Sequence, residues 1–333
     1  MDAGFSIFDA HLDLAMNVRA GRDVRRPAAE QPAIGNEIAT VGLPDLRAGR
    51  VTHVCPTIFC APESDSPVGY RTPDEAFARA MEQLSIYYDW QQQGLMQAWP
   101  APASDDYTVG LILLEGADPI RTPEDVPTFV KAGVRIVGLA WHATRYAGGT
   151  GEPGPLTPAG RELVLTLDEH NLIHDTSHLA EQSFWDLLEL TEGPIIASHS
   201  NARSLVGIDP GQRHLSDEMI RALIARDAVI GINFFDKFLL PHSQRGKRRA
   251  ALDDVVAHIR HVCDLAGDAR HVGIGTDMDG GLGRDQIPQE IHTSAELQKL
   301  PAALSPYFST DEIRQILHGN WFDFFTRNVP SCA

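Results

Sequence analysis

The chain has 333 residues, of which 28 are Lys or Arg and 45 are Asp or Glu, so its formal net charge is −17 at pH 7. This acidity argues against a nucleic-acid partner, because a nucleic-acid binder must neutralise phosphates with Lys and Arg. Hydrophobic residues make up 43% and charged residues 22% of the chain. These are ordinary globular values, and the length accommodates one large α/β domain or two smaller ones.

The sequence has no basic stretch followed by a long apolar run at its start, and no segment approaches about 18 uninterrupted apolar residues. We therefore expect a cytoplasmic protein with no membrane anchor. Four cysteines, at positions 55, 60, 263 and 332, are too few and too scattered for a disulfide framework. Reduced, mostly structural thiols are the expectation.

Apolar runs of strand length recur along the chain, and most are followed by a segment with helical spacing. Eight runs are predicted as strands, at residues 6–12, 51–60, 109–115, 134–141, 172–177, 194–198, 229–235 and 272–276. Five segments are predicted as helices, at residues 74–93, 158–170, 180–191, 216–227 and 253–266. Alternation of the two kinds of segment favours parallel strands with crossover connections.

Eight strand and helix repeats match a closed (β/α)8 TIM barrel, an α/β fold that typically needs about 250 residues plus decorations. A doubly wound open sheet is the alternative. No linker divides the chain, so residues 1–333 are predicted to form a single decorated barrel. The turn-rich segment 148–155 is a candidate rim loop over a substrate, because active sites in these barrels lie at the carboxyl ends of strands. Residues 245–249 form a basic cluster, interpreted as a solvated loop.

Ionisable side chains end six of the predicted strands. The first run places Asp9, His11 and Asp13 on one face, because side chains alternate along a strand. The other runs end in Glu115, His142, His178, His199 and Asp277. Each residue alone is more simply a hydrogen-bonded structural group, but together they would carry a heavy desolvation cost unless a cation were present.

The nitrogen and oxygen donors at these strand ends suit zinc. Three His, two Asp and one Glu at these strand ends form a donor set of this kind. A catalytic zinc ion takes about three protein ligands, so six candidates indicate two ions that share a bridging carboxylate. Glu115 is the predicted bridge, because it lies between the two groups in barrel order.

Several motifs, in the same order along nearly the whole chain, resemble those of the membrane dipeptidase (renal dipeptidase) family of zinc peptidases, which have amidohydrolase-like barrels. The motifs are Asp9-Ala10-His11-Leu12-Asp13, Glu115-Gly116, Asp175-Thr176-Ser177-His178, Ser198-His199-Ser200-Asn201-Ala202-Arg203, Gly275-Thr276-Asp277-Met278-Asp279-Gly280 and Gly319-Asn320. The resemblance implies two zinc ions per chain. His11 and Asp13 would hold one ion, His178 and His199 the other, and Glu115 would bridge both.

The same resemblance implies roles for the residues around the metals. Asp277 would act as general base toward the metal-bound water, which becomes the bridging hydroxide, and His142 would stabilise the oxyanion that forms on the substrate. Arg213 would bind the terminal carboxylate of the substrate, with Arg203 as the second candidate. These roles together describe hydrolysis of a small dipeptide with a free C-terminal carboxylate. A homodimer is also implied.

Two other functions stay open from the sequence. A related dinuclear amidohydrolase acting on N-acyl amino acids or lactams could use the same metals and the same carboxylate anchor. A barrel that retains its metals without catalysis is the third hypothesis, although a structural zinc site needs no general base. Four aromatic residues near strand ends are candidates for lining the pocket: Trp141, Tyr146, Phe234 and Phe235.

Overall fold

A computed structural model describes residues 4–104 and 106–329 of the chain. Eight parallel strands form its central sheet: β1 (Ile7–Leu12), β2 (Val51–Phe59), β3 (Ile112–Glu115), β4 (Val134–Gly138), β5 (Ile173–Asp175), β6 (Ile195–Ile196), β7 (Ile230–Ile232) and β8 (Val272–Ile274). They pair in the order β6-β5-β4-β3-β2-β1-β8-β7. A parallel bridge between Ala197 and Ile230 joins β6 to β7, so the sheet closes on itself. The predicted (β/α)8 barrel is confirmed, and the open sheet is excluded.

The five predicted helices are all present, each within two residues of its predicted bounds. They are α1 (Pro73–Gln92), α2 (Pro158–Glu169), α3 (Glu181–Leu190), α4 (Asp217–Ala225) and α5 (Leu252–Ala266). Side-chain caps begin three of them, because the Thr72, Thr157 and Ser216 hydroxyls accept hydrogen bonds from backbone N–H groups of the first turn. Such caps satisfy amide groups that have no partner within the helix.

Shorter elements decorate the barrel. The additional helices and helical turns are Leu14–Arg19, Ala28–Glu30, Leu43–Ala48, Pro123–Asp125, Val126–Lys131, Arg203–Val206, Asp236–Leu239, His242–Gln244, Arg284–Gln286, Ser294–Lys299, Leu300–Leu304, Thr310–Arg314, Gln315–Gly319 and Asn320–Asn328. The additional strands are Ala61–Pro62, Gly69–Tyr70, Met96–Ala98, Thr108–Gly110, Ala147–Gly149 and Glu152–Leu156. Thr108–Gly110 is the first part of the predicted third strand, which is interrupted at Leu111.

The helix Asn320–Asn328 packs at the end of the barrel where the strands begin. Its Trp321 donates a hydrogen bond from Nε1 to the Ile274 carbonyl at 3.0 Å. The ring of Phe325 lies 5.3 Å from that of Phe8, near the start of β1. Trp321, Phe324 and Phe325 belong to one buried apolar cluster with Phe8 and Val229, which lie near the starts of their strands. The polar side chains gather at the opposite end of the barrel.

Several strands end two or three residues earlier than predicted. At those positions, side-chain carboxylates replace backbone carbonyls as the hydrogen-bond acceptors for the neighbouring strand. Asp175 accepts a hydrogen bond from the Ser198 backbone N–H at 2.8 Å, and Asp9 accepts one from the Thr276 N–H at 2.8 Å. The chain then turns sharply, with positive φ angles of 67° at His178 and 60° at Asp277. Both residues therefore lie just beyond their strands, on the loops at the carboxyl end of the barrel.

Two smaller expectations concern the cysteines and membrane spans. Cys55, Cys60 and Cys263 are buried and unpaired, which agrees with structural thiols, whereas Cys332 lies outside the described residues. No helix within residues 4–104 and 106–329 is long and apolar enough to cross a membrane.

Candidate metal centre

The predicted metal ligands converge on the carboxylate of Glu115, at the end of β3. Its Oε2 lies 3.4 Å from His11 Nε2. Its Oε1 lies 3.2 Å from His178 Nε2 and 3.4 Å from His199 Nε2. Asp13 Oδ2 lies 3.9 Å from His11 Nε2. The two oxygens of Glu115 therefore face two separate groups of ligands, as the predicted bridge requires.

Within the described chain, buried donor atoms that lie no more than 4.8 Å apart form three sets that could hold a metal ion. The sets are His11, Asp13 and Glu115; Glu115, His178 and His199; and His11, His199 and Asp277. The first two sets share Glu115 and coincide with the two predicted sites. Asp9 belongs to none of these sets, because it is bonded to the backbone and hydroxyl of Thr276.

The carboxylates of this cluster repel one another. Burial, reinforced by the charge of Glu115, raises the pKa of Asp13 to about 7. Burial also raises the pKa of Asp277 to about 8, with the charges of Asp13 and Glu115 adding to the effect. The centre therefore holds more acidic groups than it can ionise without a cation, and a divalent metal would relieve that repulsion.

The imidazoles respond to the same charges. Burial acts to lower the pKa of His11, but the surrounding carboxylates, Glu115 first, outweigh it and raise that pKa to about 10. Burial and then the charge of Arg213 lower the pKa of His178 to about 4. Burial likewise holds the pKa of His199 well below its usual range. His178 and His199 are thus neutral at pH 7, which is the form that binds metal.

The surroundings of His11 Nε2 support the fit of a metal to these residues. This atom is buried and makes no hydrogen bond of normal geometry within the described chain, and its nearest acidic oxygens are those of Glu115 at 3.4 Å and Asp13 at 3.9 Å. Buried ring nitrogens are normally hydrogen-bonded, and an exception calls for a missing partner. Together with the convergent nitrogen and oxygen donors, this atom indicates that these residues fit a divalent transition-metal ion such as zinc.

The hydroxyl of Ser198 connects the two halves of the centre. It donates to Asp175 Oδ2 at 2.5 Å, so its lone pairs are left to accept hydrogen bonds. His11 Nδ1 lies 3.2 Å and His199 Nδ1 2.8 Å from the same oxygen. Both rings can therefore carry their proton on Nδ1 and present the lone pair of Nε2 to a metal. Such outer hydrogen bonds orient metal ligands and fix their tautomers.

Removing this hydroxyl should weaken metal binding. We expect Ser198→Ala to lower zinc affinity by roughly 10- to 100-fold, the usual effect of losing a group that orients a metal ligand. Competition with a chelator measures that affinity. In the metal-free protein, ¹⁵N NMR of the histidine rings should show loss of the Nδ1–H form at His199, because the pKa of His199 is held well below its usual range and its ring is neutral.

The matched control is Ser294→Ala, since Ser294 is equally buried and its hydroxyl makes no hydrogen bond within the described residues. Equal zinc affinity in the Ser198 and Ser294 variants would contradict the role of Ser198.

The two strands that carry no predicted site residue supply supporting residues instead. Thr57, on β2, donates a short hydrogen bond from its hydroxyl to Asp13 Oδ1. Asn233, just after β7, donates from Nδ2 to Asp277 Oδ2 at 2.9 Å. Sequence reasoning missed both residues as well as Ser198. For Asn233 the available signal was a polar residue within an otherwise apolar run, whereas Thr57 shares its run with Thr52 and His53 and did not stand out.

A cavity of about 450 Å³ opens above the metal centre. Asp13, Glu115, His178 and Asp277 form part of its floor, and its walls are largely apolar. The wall residues include Met16, Phe59, Trp141, Phe235, Phe238 and Leu282. Of the four aromatic candidates, Trp141 and Phe235 line this cavity, whereas Tyr146 and Phe234 are packed in the interior.

His142 lies at the rim of the cavity, four residues beyond the end of β4, with its side chain 45% exposed. Its Nδ1 lies 2.6 Å from the Thr150 carbonyl, to which it donates, and its Nε2 lies 3.3 Å from Glu152 Oε2. With the proton on Nδ1, the ring can donate from Nε2 only as an imidazolium. Its oxyanion role therefore stays a prediction.

The candidate rim loop forms a short hairpin of the strands Ala147–Gly149 and Glu152–Leu156. Thr150, at its turn, lines the cavity, and the Thr150 hydroxyl lies 3.0 Å from His178 Nδ1. The hairpin therefore both borders the cavity and positions a predicted metal ligand.

Arg213 is a buried cation with no acidic partner. It is 4% exposed, and its guanidinium donates to the His199 carbonyl at 2.6 Å and to the Ser200 hydroxyl at 3.1 Å. Among the described residues, no carboxylate forms an ion pair with it, and its Nε makes no hydrogen bond. Arg203 differs, because it pairs with Glu181 at 2.7 Å. Arg213 is therefore the better candidate for binding a substrate carboxylate.

The closed barrel and the ligand residues at its carboxyl end define the class of metal-dependent hydrolases with a TIM-barrel fold. The membrane dipeptidase family, peptidase family M19, has a model that matches residues 2–328. The chain belongs to this family, and the resemblance seen in the sequence is confirmed.

Curated relatives resemble parts of the chain. It is 34% identical over 185 residues to an uncharacterised protein from the pqqA 5′ region of Klebsiella pneumoniae, covering 53% of this chain and 65% of that protein. It is 30% identical over 184 residues to an uncharacterised dipeptidase of Schizosaccharomyces pombe, covering 54% and 42%. It is 30% identical over 202 residues to the dipeptidase tcpJ of Claviceps purpurea, covering 58% and 44%. The chain thus spans less than two thirds of the length of these relatives.

Solved structures share the fold over nearly the whole chain. A metallopeptidase from Rhodobacter sphaeroides, liganded with a phosphinate mimic of the dipeptide L-Ala-D-Ala, superposes with a TM-score of 0.82 at 23% identity, covering 98% of this chain and all of that one. The dipeptidase AC, also of family M19, gives a TM-score of 0.81 at 24% identity, covering 98% and 99%. At these identities the likeness establishes the fold.

Proposed function

We propose that the protein is a zinc-dependent dipeptidase that hydrolyses dipeptides with a free C-terminal carboxylate. The observation that carries the proposal is the buried, unpaired Arg213 close to a cluster with two candidate metal sites. A buried cation without a counterion is costly unless a ligand supplies the charge. Membership of the dipeptidase family supports the reaction type.

His11 and Asp13 would hold one zinc ion, His178 and His199 the other, and Glu115 would bridge them. When bound, such a pair of ions supplies a water of lowered pKa, hence a hydroxide nucleophile near neutral pH, and polarises the scissile carbonyl. His11 and Glu115 lie on barrel strands, and Asp13, His178 and His199 lie one to three residues beyond strand ends. Hydrogen bonds with neighbouring side chains hold all of these residues except Glu115. The five side chains therefore need little rearrangement to act as ligands.

Asp277 is placed to move the proton. Its Oδ2 is fixed by Asn233, so Oδ1 is the oxygen left to accept a proton from the attacking water and return it to the departing amine. His142 can donate from Nε2 to the developing oxyanion when its ring is an imidazolium and its contact with Glu152 is broken. Arg213 grips the terminal carboxylate, which limits the substrate to an amide close to a free C-terminus.

The decisive experiment combines metal analysis with a matched substrate set. Protein loaded with zinc is assayed on Ala-Ala, on its C-terminal amide, on N-acetyl-alanine and on a lactam. Hydrolysis of Ala-Ala, with little of the amide, supports the dipeptidase. Faster turnover of the acyl amino acid or the lactam would assign the related amidohydrolase activity instead. Two bound metal ions without turnover of any amide would indicate a non-catalytic barrel.

Arg213→Ala should raise KM for Ala-Ala by about 10- to 100-fold, because a charge-assisted hydrogen bond to a carboxylate is worth about 1.5–3 kcal/mol. Zinc content measured in parallel should stay at the wild-type value, since Arg213 is not a predicted ligand. Arg203→Ala is the control, and its KM should stay near wild type. If the Arg203 variant instead showed the larger rise, the carboxylate site would be assigned to the wrong arginine.

A further inference from the structure

A second cavity, of about 400 Å³, lies beside the metal centre. The short helix Asp236–Leu239 separates the two cavities. Phe235, just before this helix, lines both of them, Phe238 lines the first, and Lys237 lines the second. The predicted basic cluster at residues 245–249 forms much of the second wall. This segment is the solvated loop expected from the sequence, with Lys247 and Arg248 exposed, and it also borders the second cavity.

Cations dominate this second cavity. Five of them line it against two acidic residues, Asp236 and Asp285: Lys237, Arg245, Lys247, Arg248 and Arg249. Such a concentration of positive charge is unusual in a chain with a formal net charge of −17. It creates a local field that attracts anions.

Only some of these cations are already neutralised. Both terminal nitrogens of Arg248 lie 2.6 Å from the carboxylate of Asp254. Arg249 donates to the Arg284 and Ile287 carbonyls, and its Nη1 lies 3.9 Å from Asp285. Their charges are thus largely satisfied within the chain.

The other three cations form no ion pair within residues 4–104 and 106–329, and the charge of Asp209 acts on Arg245 only from a greater distance. Arg245 donates from Nε only to the Leu240 carbonyl at 3.4 Å. Lys237 lies over the Phe235 ring at 5.7 Å, and the side chain of Lys247 forms no ion pair with any described residue. These three side chains are therefore available to bind an external anion.

The position of Arg213 indicates which part of a substrate reaches this cavity. Its guanidinium lies 5.1 Å from the centre of the Phe238 ring, so a carboxylate bound there sits near the helix Asp236–Leu239. Arg213 is not among the residues that line either cavity. With a dipeptide held by Arg213, the side chain of its C-terminal residue would start beside this helix, and Phe235 is the residue at which the two cavities adjoin.

We propose that the second cavity binds the side-chain carboxylate of an acidic C-terminal residue, so that the preferred substrates are dipeptides ending in Glu. This inference rests on the proposed dipeptidase function and deepens it. Arg213 binds the main-chain carboxylate of the C-terminal residue. The side-chain carboxylate of that residue is bound by Arg245, Lys247 and Lys237. Glu is favoured over Asp, because the side chain must extend past Phe235.

The test compares Ala-Glu with its neutral isostere Ala-Gln. Wild-type protein loaded with zinc should show kcat/KM at least about tenfold higher for Ala-Glu, since a charge-assisted hydrogen bond contributes about that factor or more. The double variant Arg245→Gln, Lys247→Gln should bring the ratio close to one. The ratio in wild type should also fall as salt is raised, because the cavity is partly open to solvent.

The control is Arg314→Gln, a surface arginine paired with Asp311 at 2.7 Å, which should keep the wild-type ratio. An equal ratio in wild type and double variant would overturn the proposal. Isothermal titration calorimetry with inorganic sulfate tests whether the second cavity binds an independent anion or the side-chain carboxylate of the substrate. Sulfate that binds wild type but not the double variant, without competing with Ala-Glu, would assign the cavity to an independent anion and also overturn it.

Failure of the dipeptidase function is recognised separately. If neither peptide is hydrolysed, calorimetric binding of Ala-Glu and Ala-Gln to the zinc-loaded protein replaces the rates. Tighter binding of Ala-Glu to wild type, lost in the double variant, would support the anion site even then. Equal affinities for the two peptides would reject it.

Discussion

Replacement of Glu115 by Ala is expected to abolish both metal retention and hydrolysis. Glu115 is the only residue shared by the two predicted zinc sites, and its oxygens face His11 on one side and His178 and His199 on the other. Its loss leaves each ion one ligand short and removes a negative charge between two cations. We expect less than one zinc ion per chain after dialysis, by elemental analysis, and no measurable turnover of Ala-Ala.

Two further variants make that result interpretable. Glu115→Gln keeps the shape of the side chain but not its charge, so it should fold as wild type does while binding zinc weakly. Glu181→Ala removes a partly exposed carboxylate that pairs with Arg203 and should retain both ions. A Glu115→Ala protein that kept two zinc ions and full turnover would show that Glu115 is not the bridge.

Asp277→Asn should separate proton transfer from metal binding. We expect kcat for Ala-Ala to fall by about 10² to 10⁴, the contribution of a positioned general base, while zinc content stays near wild type. Asn is nearly isosteric with Asp and tolerates the positive φ of 60° at this position. The backbone should therefore keep its conformation, and the loss should come from chemistry. Hydrolysis assays stopped at fixed times give kcat, and elemental analysis of the same sample gives the zinc content.

A matched control uses an aspartate in the same backbone region. Asp227 also has a positive φ, of 54°, but it lies at the surface, paired with Arg327. Asp227→Asn should leave kcat unchanged. Wild-type kcat in the Asp277 variant would rule out Asp277 as the base, and loss of zinc from it would make Asp277 primarily a metal ligand.

The fold could be predicted from the sequence because local patterns and global topology agree. Apolar runs of strand length alternate with amphipathic segments, and residues such as Thr72 and Ser216 sit where helix caps belong. Strand ends were less predictable. The predicted strands extend beyond the observed ends, because the residue types there do not mark where backbone pairing stops. The observed ends depend on side chains such as Asp175, which accepts a hydrogen bond from a backbone N–H in place of a carbonyl of the neighbouring strand.

The ligand residues could be predicted for a different reason. His11, Glu115, His178 and His199 each lie at the end of a strand or within three residues beyond it, and parallel strands in a barrel bring their carboxyl ends together. Ser198 could not be assigned in this way, since its role depends on the distance from one oxygen to two rings on different strands. The basic cavity was also beyond reach of the sequence, because nothing in residues 245–249 shows that they face a neighbouring helix.

The oxygen of Ser198 touches one histidine from each metal site, and this has a consequence for how the ions enter. An ion that binds His11 orients that ring and so fixes one lone pair of the shared hydroxyl. The remaining lone pair is then directed at His199 before the second ion arrives. The entropy lost in ordering the Ser198 hydroxyl is therefore lost when the first ion binds and not again when the second ion binds. Such a shared loss of entropy is a basis of positive cooperativity. Zinc should load as a pair, with few chains carrying a single ion at half saturation.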